Sequence, residues 1–369
     1  MSEIEIGRNK RGRRSYSFDD VAVVPSRRTR DPEDVSTAWH VDAYHFDIPI
    51  FAAPMDSLMS PATAIELGRQ GGLGVLDLEG LWTRHEDPTA QLERIANASE
   101  AEVVQVLRDA YAAPVQPELI TARIGELREA GVTAAGALSP QRTQEHWRTV
   151  VDAGVDLFFI RGTTVSAEHV SSDREPLNLK RFIYELDVPV IVGGCATYTA
   201  ALHLMRTGAA GVLVGFGGGA SHTTRETLGI QVPLATAVAD VAAARRDYMD
   251  ESGGRYVHVI ADGGLGRSGD LVKAIACGAD GLMVGAALAR AEEAPGAGHH
   301  WGSEAHHPVL PRGHRVEVGT VAPLEQILYG PGLNAEGTTN LVGALRHAMA
   351  TTGYLDLKEF QRVEVVVTT

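Results

Sequence analysis

Short apolar runs recur along the chain, each four to six residues long, and stretches with helical spacing of apolar positions lie between them. The runs are Pro49–Ala53, Leu73–Leu76, Thr133–Leu138, Leu157–Ile160, Val188–Val192, Gly211–Val214, Tyr256–Ala261 and Gly281–Val284. They are continuously apolar rather than alternating, the pattern of parallel strands covered on both faces by helices. Four helix-to-strand junctions also repeat: Ala130-Gly131-Val132, Ala153-Gly154-Val155, Thr207-Gly208-Ala209 and Cys277-Gly278-Ala279. Each places glycine where a helix ends in left-handed backbone, which residues with a Cβ resist. About eight such units over this length predict a single-domain (β/α)8 barrel. A doubly wound sheet is the competing arrangement.

Residues 1–48 read as an irregular leader and 49–369 as the barrel. Residues 83–131 carry few strand signals and much helical pattern, at 89–112 and 117–130. They read as a helical connection, not a domain of their own. Near the end, Val363-Glu364-Val365-Val366-Val367 reads as a strand that needs cover.

Composition narrows the partners. The chain has 369 residues, 44% hydrophobic and 22% charged, an ordinary balance for a soluble globular protein. A net charge of −14 and a pI near 5.4 speak against nucleic acid, which needs a basic face. Arg8, Lys10, Arg11, Arg13 and Arg14 read as a solvated arm. The two cysteines, Cys195 and Cys277, make neither a disulfide framework nor a zinc spacing. That fits a reducing, cytoplasmic setting. No apolar run is long enough to span a bilayer, so no membrane partner is expected, and no signal peptide is visible.

In a barrel the chemistry sits at the C-terminal ends of the strands. That rule selects Met55-Asp56-Ser57, Asp77, Arg161-Gly162-Thr163-Thr164, Gly193-Gly194-Cys195, the run from Gly215 to Arg225, Asp262-Gly263-Gly264 and Gly285-Ala286. Paired glycines after the last strands suit an anion held by backbone N–H groups. Asp262, beside them, is placed to accept hydrogen bonds from ribose hydroxyls. Cys195 reads as a small buried residue. His299, His300, His306 and His307 do not have zinc-like spacing and read as a solvated lid, with no metal site expected.

Taken together, several motifs resemble the IMP dehydrogenase/GMP reductase family. They are Ser17-Phe18-Asp19-Asp20-Val21 with Val24-Pro25, Ala53-Pro54-Met55-Asp56, Gly71-Gly72-Leu73-Gly74, and Gly215-Phe216-Gly217-Gly218-Gly219 with Thr223-Thr224-Arg225. Ile260-Ala261-Asp262-Gly263-Gly264, Gly278-Ala279-Asp280 with Met283-Val284-Gly285, and Glu292-Glu293-Ala294-Pro295-Gly296 complete the set. The likeness is greatest to the short, actinobacterial-type branch that lacks the paired CBS modules, for which residues 83–131 leave no room. The resemblance implies a (β/α)8 barrel, a homotetramer, and a purine 5′-monophosphate ligand (IMP, XMP or GMP). It implies that Asp262 holds the ribose, that Gly217, Gly219, Gly264 and Gly285 surround the phosphate, and that Met55 lies beside the base. In the family a cysteine thiolate attacks C2 of the purine, NAD takes the hydride and water releases the product; a monovalent cation is a further possible cofactor.

The chain departs from that pattern at the chemistry itself. His222 occupies the cysteine position, followed by Thr223; these two are the candidate catalytic residues. Imidazole cannot inherit thiolate chemistry unchanged. Most of the mobile flap, with its Arg-Tyr pair, is missing, and Arg312 falls where a carboxylate or amide reads the base. Ala220 and Ala286 replace phosphate-contacting hydroxyls. Arg161-Gly162-Thr163 takes the place of the Asp-Ser pair used for nicotinamide, and is the candidate cofactor contact. Two readings stay open: an IMP-dehydrogenase-type oxidoreductase, or a catalytically silent purine-nucleotide-binding or regulatory protein. A flavin-binding barrel, with similar glycine-rich phosphate contacts, is a third.

Overall fold

The computed structural model describes residues 3–172, 175–216, 218–221, 224–307 and 314–368. Among them, eight parallel strands close into a barrel. In chain order these are β1 (Ile50–Ala52), β2 (Leu73–Asp77), β3 (Ala135–Leu138), β4 (Leu157–Arg161), β5 (Val190–Cys195), β6 (Gly211–Val214), β7 (His258–Asp262) and β8 (Gly281–Val284). Each pairs with the next, and β8 returns to β1 through Leu282 opposite Ile50. Helices α1 (Pro61–Arg69), α2 (Pro117–Glu129), α3 (Pro140–Asp152), α4 (Leu179–Tyr184), α5 (Tyr198–Met205), α6 (Leu234–Ser252), α7 (Ser268–Ala276) and α8 (Leu341–Thr351) form the outer ring. The chain is thus a (β/α)8 barrel.

The glycine stops behave as their positions require. Gly131, Gly154, Gly208 and Gly278 all have positive φ, between 74° and 114°, so a side chain at any of them is strained. The strands that follow are buried along their length, as in Leu157, Phe158, Phe159 and Ile160. That explains their continuous apolar sequence: one face fills the barrel and the other meets the helices.

The leader is more ordered than its composition suggests. It contains a hairpin, Glu3–Gly7 with Lys10–Arg13, and a second, Trp39–Val41 with Tyr44–Phe46. The second closes the bottom of the barrel. Trp39 and Phe46 pack on Phe51 of β1 at ring-centroid distances of 5.0 and 5.1 Å. A Cβ on Gly281, the first residue of β8, would lie 2.3 Å from the Trp39 ring, so only glycine admits the indole there. The apolar tail finds its cover in the leader too: Val365–Val367 pairs antiparallel with Val21–Val23. The last two pairings escape local pattern analysis because the strands are three residues long and, for the tail, far apart in sequence. Arg13 of the basic arm binds Asp240 at 2.5 Å and Arg11 lies 3.5 Å from Glu3.

The region 83–131 divides differently from the expectation. Its last helix is α2, an ordinary member of the outer ring. The continuous pattern over 89–112 is two helices, Thr89–Asn97 and Val103–Ala110, broken where Ser99 hydrogen-bonds Glu102. They form a second hydrophobic cluster with Leu81, Tyr111, Trp301 and Ala305, separate from the barrel core.

A buried charge hub secures the lower end of the barrel. Asp280, just before β8, is bound by Arg245 of α6 and by Tyr256 at 2.5 Å each, by the Val259 amide at 2.8 Å and by Gln361 at 3.0 Å. Burial alone would raise its pKa, but Arg245, Lys358, His258 and the Tyr256 hydroxyl hold it below the usual carboxylate value. Removing one partner of such a pair strands the other charge in the interior. Asp280→Ala is expected to lower unfolding free energy by about 3–5 kcal/mol, measured by urea titration. A loss below roughly 1 kcal/mol, the scale of an exposed ion pair, would show that the hub does not hold the barrel closed.

Candidate functional site

The strand ends β1, β4, β6, β7 and β8 converge on a cavity of about 640 Å³ at the top of the barrel, within the roughly 300–1,000 Å³ of small-molecule sites. Met55, Gly219, Asp262, Gly264 and Gly285 all line it, together with Gly218 and Arg161. Gly217, His222, Thr223 and Arg312 lie outside the described residues. Gly263 and Gly264 turn with φ of 100° and 65°, and a Cβ on Gly263 would sit 3.4 Å from the Gly219 amide. The β6 and β7 turns therefore meet backbone to backbone, which leaves amides rather than side chains at that wall. Ala220 and Ala286 also line it, so neither position offers a hydroxyl to the cavity.

Met55, Asp56 and Ser57, in the turn after β1, separate. Met55 faces the cavity. Ser57 Oγ lies 2.9 Å from His300 Nδ1 and donates to the Trp301 carbonyl at 3.2 Å. Asp56 turns away, toward the helical connection. It accepts from Tyr111 Oη at 2.6 Å and from the Leu81 amide at 2.8 Å, while its other oxygen has no partner among the described residues.

Arg161 crosses the mouth. Its Nε lies 3.4 Å from Asp262 Oδ2. Burial would lower its pKa, but Asp262, Glu304 and Asp77 raise it, so the guanidinium stays charged. Thr163 Oγ1 donates to Glu304 Oε1 at 3.1 Å. Of the residues read as cofactor contacts, Arg161 and Thr163 are thus bonded to the protein's own carboxylates, and Gly162 and Thr163 line a cavity of about 50 Å³.

The segment after Pro295 corrects the expectation of a solvated lid. His299–Trp301 pairs with Arg315–Glu317 as a hairpin. His300 is 2% exposed and lines the large cavity; its imidazole lies 3.5 Å from where a Gly285 Cβ would be. Glu304 is 7% exposed. His306 stacks flat on Tyr111, centroids 3.6 Å apart and planes within 3°. Burial, Arg84 and His307 push its pKa down to about 3, so it is neutral against the phenol. No group of three metal-ligating side chains occurs among the described residues. Glu304 and His300 were not singled out as site residues by sequence reasoning. Neither follows a barrel strand, and the signal available was an apolar Trp301 between them. Cys195 is buried in β5, and burial pushes its thiol up to about 12, so it is no thiolate nucleophile.

A closed barrel with a ligand-sized cavity at its C-terminal mouth defines the class: a (β/α)8 barrel with its site where barrel enzymes carry theirs. The chain belongs to the IMP dehydrogenase/GMP reductase family, whose model, described as "IMP dehydrogenase / GMP reductase domain", matches residues 15–306. It is 54% identical to an uncharacterized oxidoreductase of Mycolicibacterium smegmatis, over 99% of both chains. It is 26% identical to the inosine-5′-monophosphate dehydrogenase of Thermoplasma acidophilum, over 76% of this chain and 74% of that one. A crystal structure of an IMP dehydrogenase/GMP reductase-like protein from Corynebacterium glutamicum superposes with a TM-score of 0.94 at 50% identity, covering 99% of this chain and 98% of that one. No helix among the described residues is long and apolar enough to cross a membrane.

Asp56 supplies a pH test. Burial first raises its pKa from 3.8 to about 6, against the lowering effect of Tyr111 and Leu81. Burial and the charges of Asp56 and Glu79 push Asp77 well up as well. The folded protein therefore holds these protons more tightly than the unfolded chain. Stability from Asp56 is present below its unfolded pKa and is lost as pH rises from about 4 to about 6. Asp56→Asn should remove that slope, on the order of 2–3 kcal/mol, from urea unfolding compared at pH 4 and pH 7. Parallel pH profiles for the two proteins would show that Asp56 ionises freely.

Proposed function

We propose that this chain binds a purine nucleoside 5′-monophosphate in the large cavity, and that oxidation of IMP is very slow or absent. The observation that carries the reading is the cavity wall, where Asp262 stands beside the backbone of Gly219, Gly264 and Gly285. Amides at glycine turns suit a phosphate. A carboxylate beside them suits ribose hydroxyls, and Met55 provides an apolar contact for a base. His300, held by Ser57 next to Gly285, adds a side-chain contact at the phosphate end. Family membership supports the purine class: the relatives named as IMP dehydrogenases act on inosine 5′-monophosphate. A homotetramer is part of the same reading.

Asp262 tests the binding. Losing a hydrogen bond to a charged group costs about 1.5–3 kcal/mol, so Asp262→Ala should weaken IMP, XMP or GMP about 10- to 100-fold by calorimetry. Equal affinities for wild type and variant would take Asp262 out of the site.

The catalytic reading rests on His222. Thiolate addition to C2 needs a soft and strong nucleophile. An imidazole there orients water as a general base at best, worth roughly 10²–10⁴-fold, without the Arg-Tyr pair to assist it. His222→Cys is expected to displace chloride from C2 of a 2-chloropurine ribotide, the new S–C bond replacing the C–Cl bond, and to gain the nucleotide's mass less HCl in intact mass spectrometry, while wild type does not. XMP formation by wild type at ordinary enzyme rates, ~1–10³ s⁻¹, would overturn this and favour the oxidoreductase reading in full.

A further inference from the structure

This inference rests on the large cavity being a mononucleotide site. A chain of this family is expected to hold a nicotinamide dinucleotide against Arg161, Gly162 and Thr163. The residues present do not fit that group. The cavity beside Gly162 and Thr163 adjoins the large one at Arg161, Gly218, Gly219, Asp262 and Gly263; its own volume of about 50 Å³ holds a few water molecules and not an aromatic ring with its ribose. Glu304 lines that cavity and accepts the Thr163 hydroxyl at 3.1 Å. Arg161, which borders it, is engaged with Asp262.

Glu304 is held there by more than its own hydrogen bond. Two residues before it, a Cβ on Gly302 would stand 2.8 Å from Met55 Cε and 3.0 Å from Glu304 Oε2. The lid is therefore seated directly against the site, and a side chain at Gly302 would have to push aside the tips of Met55 and Glu304. Its outer side is bound to the helical connection at both ends. At one, the Trp301 indole donates to Tyr111 Oη at 3.0 Å, and Tyr111 passes the chain on to Asp56. At the other, Arg315 is 4% exposed and donates to the carbonyls of Ile95, Ala96 and Ala98 and to Glu100. A guanidinium over the terminal carbonyls of helix Thr89–Asn97 satisfies acceptors that have no partner within the helix. It also meets the negative end of the helix dipole.

We propose that Glu304, carried on a lid clasped by residues 81–111, is a built-in plug of the cofactor slot, so that the nucleotide site is closed to a dinucleotide. Tyr111 is a positioning residue in this device: it touches no ligand, and acts through Trp301 on where Glu304 stands. The two helices thus have a task that their surface sequence does not announce. They occupy the stretch between the second and third strands and fasten the lid from outside.

Saturation-transfer NMR with NAD, in the presence and absence of IMP, reads the plug directly. For wild type, IMP protons should receive saturation and nicotinamide protons should not. Glu304→Gly, checked for folding by circular dichroism and for IMP transfer, should gain nicotinamide transfer. Tyr111→Phe should gain it more weakly, because its ring still rests on His306. Hydrogen exchange of residues 300–306 supplies a second measurement: slow in wild type, and about tenfold faster in Tyr111→Phe. Nicotinamide transfer in wild type, no gain in a folded Glu304→Gly, or lid amides exchanging like an open loop would each overturn the plug. If IMP itself receives no saturation, it is the mononucleotide reading that fails, and the exchange of the lid still judges the clasp.

Discussion

The indole N–H of Trp301 meets the phenol of Tyr111 across 190 residues of chain, and that phenol meets Asp56 across another 55. This run of hydrogen bonds joins three parts of the molecule: the lid, the helical connection and the turn that leaves β1. All its members are buried, so each polar group depends on the next for a partner. Losing one leaves a donor or acceptor stranded away from water, a larger penalty than the hydrogen bond is worth when intact. The turn after β1 also carries Met55 and Ser57, which meet the cavity and His300. Lid position and cavity shape are therefore set by one network, and neither can shift without the other.

Charge at the barrel mouth follows from the same arrangement. Arg161 is the cation at the fourth strand end, among Asp262, Glu304 and Asp77. With Asp77 pushed toward its protonated form, the guanidinium serves chiefly Asp262 and Glu304. Arg161 thus has its carboxylate partners before any ligand arrives. That suits the recognition of a nucleotide by hydrogen bonds and backbone amides.

Features that need one residue in one local conformation were legible in the sequence. Gly131, Gly154, Gly208 and Gly278 announce helix ends because left-handed backbone strongly favours glycine. The eight strands were legible because burial on both faces makes them continuously apolar. Met55, Asp262, Gly264 and Gly285 could be placed at the cavity because the barrel puts its site at strand ends. What was not legible depended on distant partners. Glu304 belongs to the site through Thr163, 141 residues earlier, and nothing around it resembles a strand end. His300 looked like one of four solvated histidines until Ser57 and Gly285 were found beside it. Tyr111 ended an amphipathic stretch whose apolar face gave no sign that it would meet the lid.

A crystal structure of the protein with IMP tests the central claim most directly, because it locates the nucleotide and the lid at once. The account predicts the phosphate against the Gly219, Gly264 and Gly285 backbone, the ribose on Asp262, and Glu304 still bonded to Thr163 with Trp301 on Tyr111. A lid displaced from Tyr111, with Glu304 withdrawn and an open slot along Gly162 and Thr163, would contradict it.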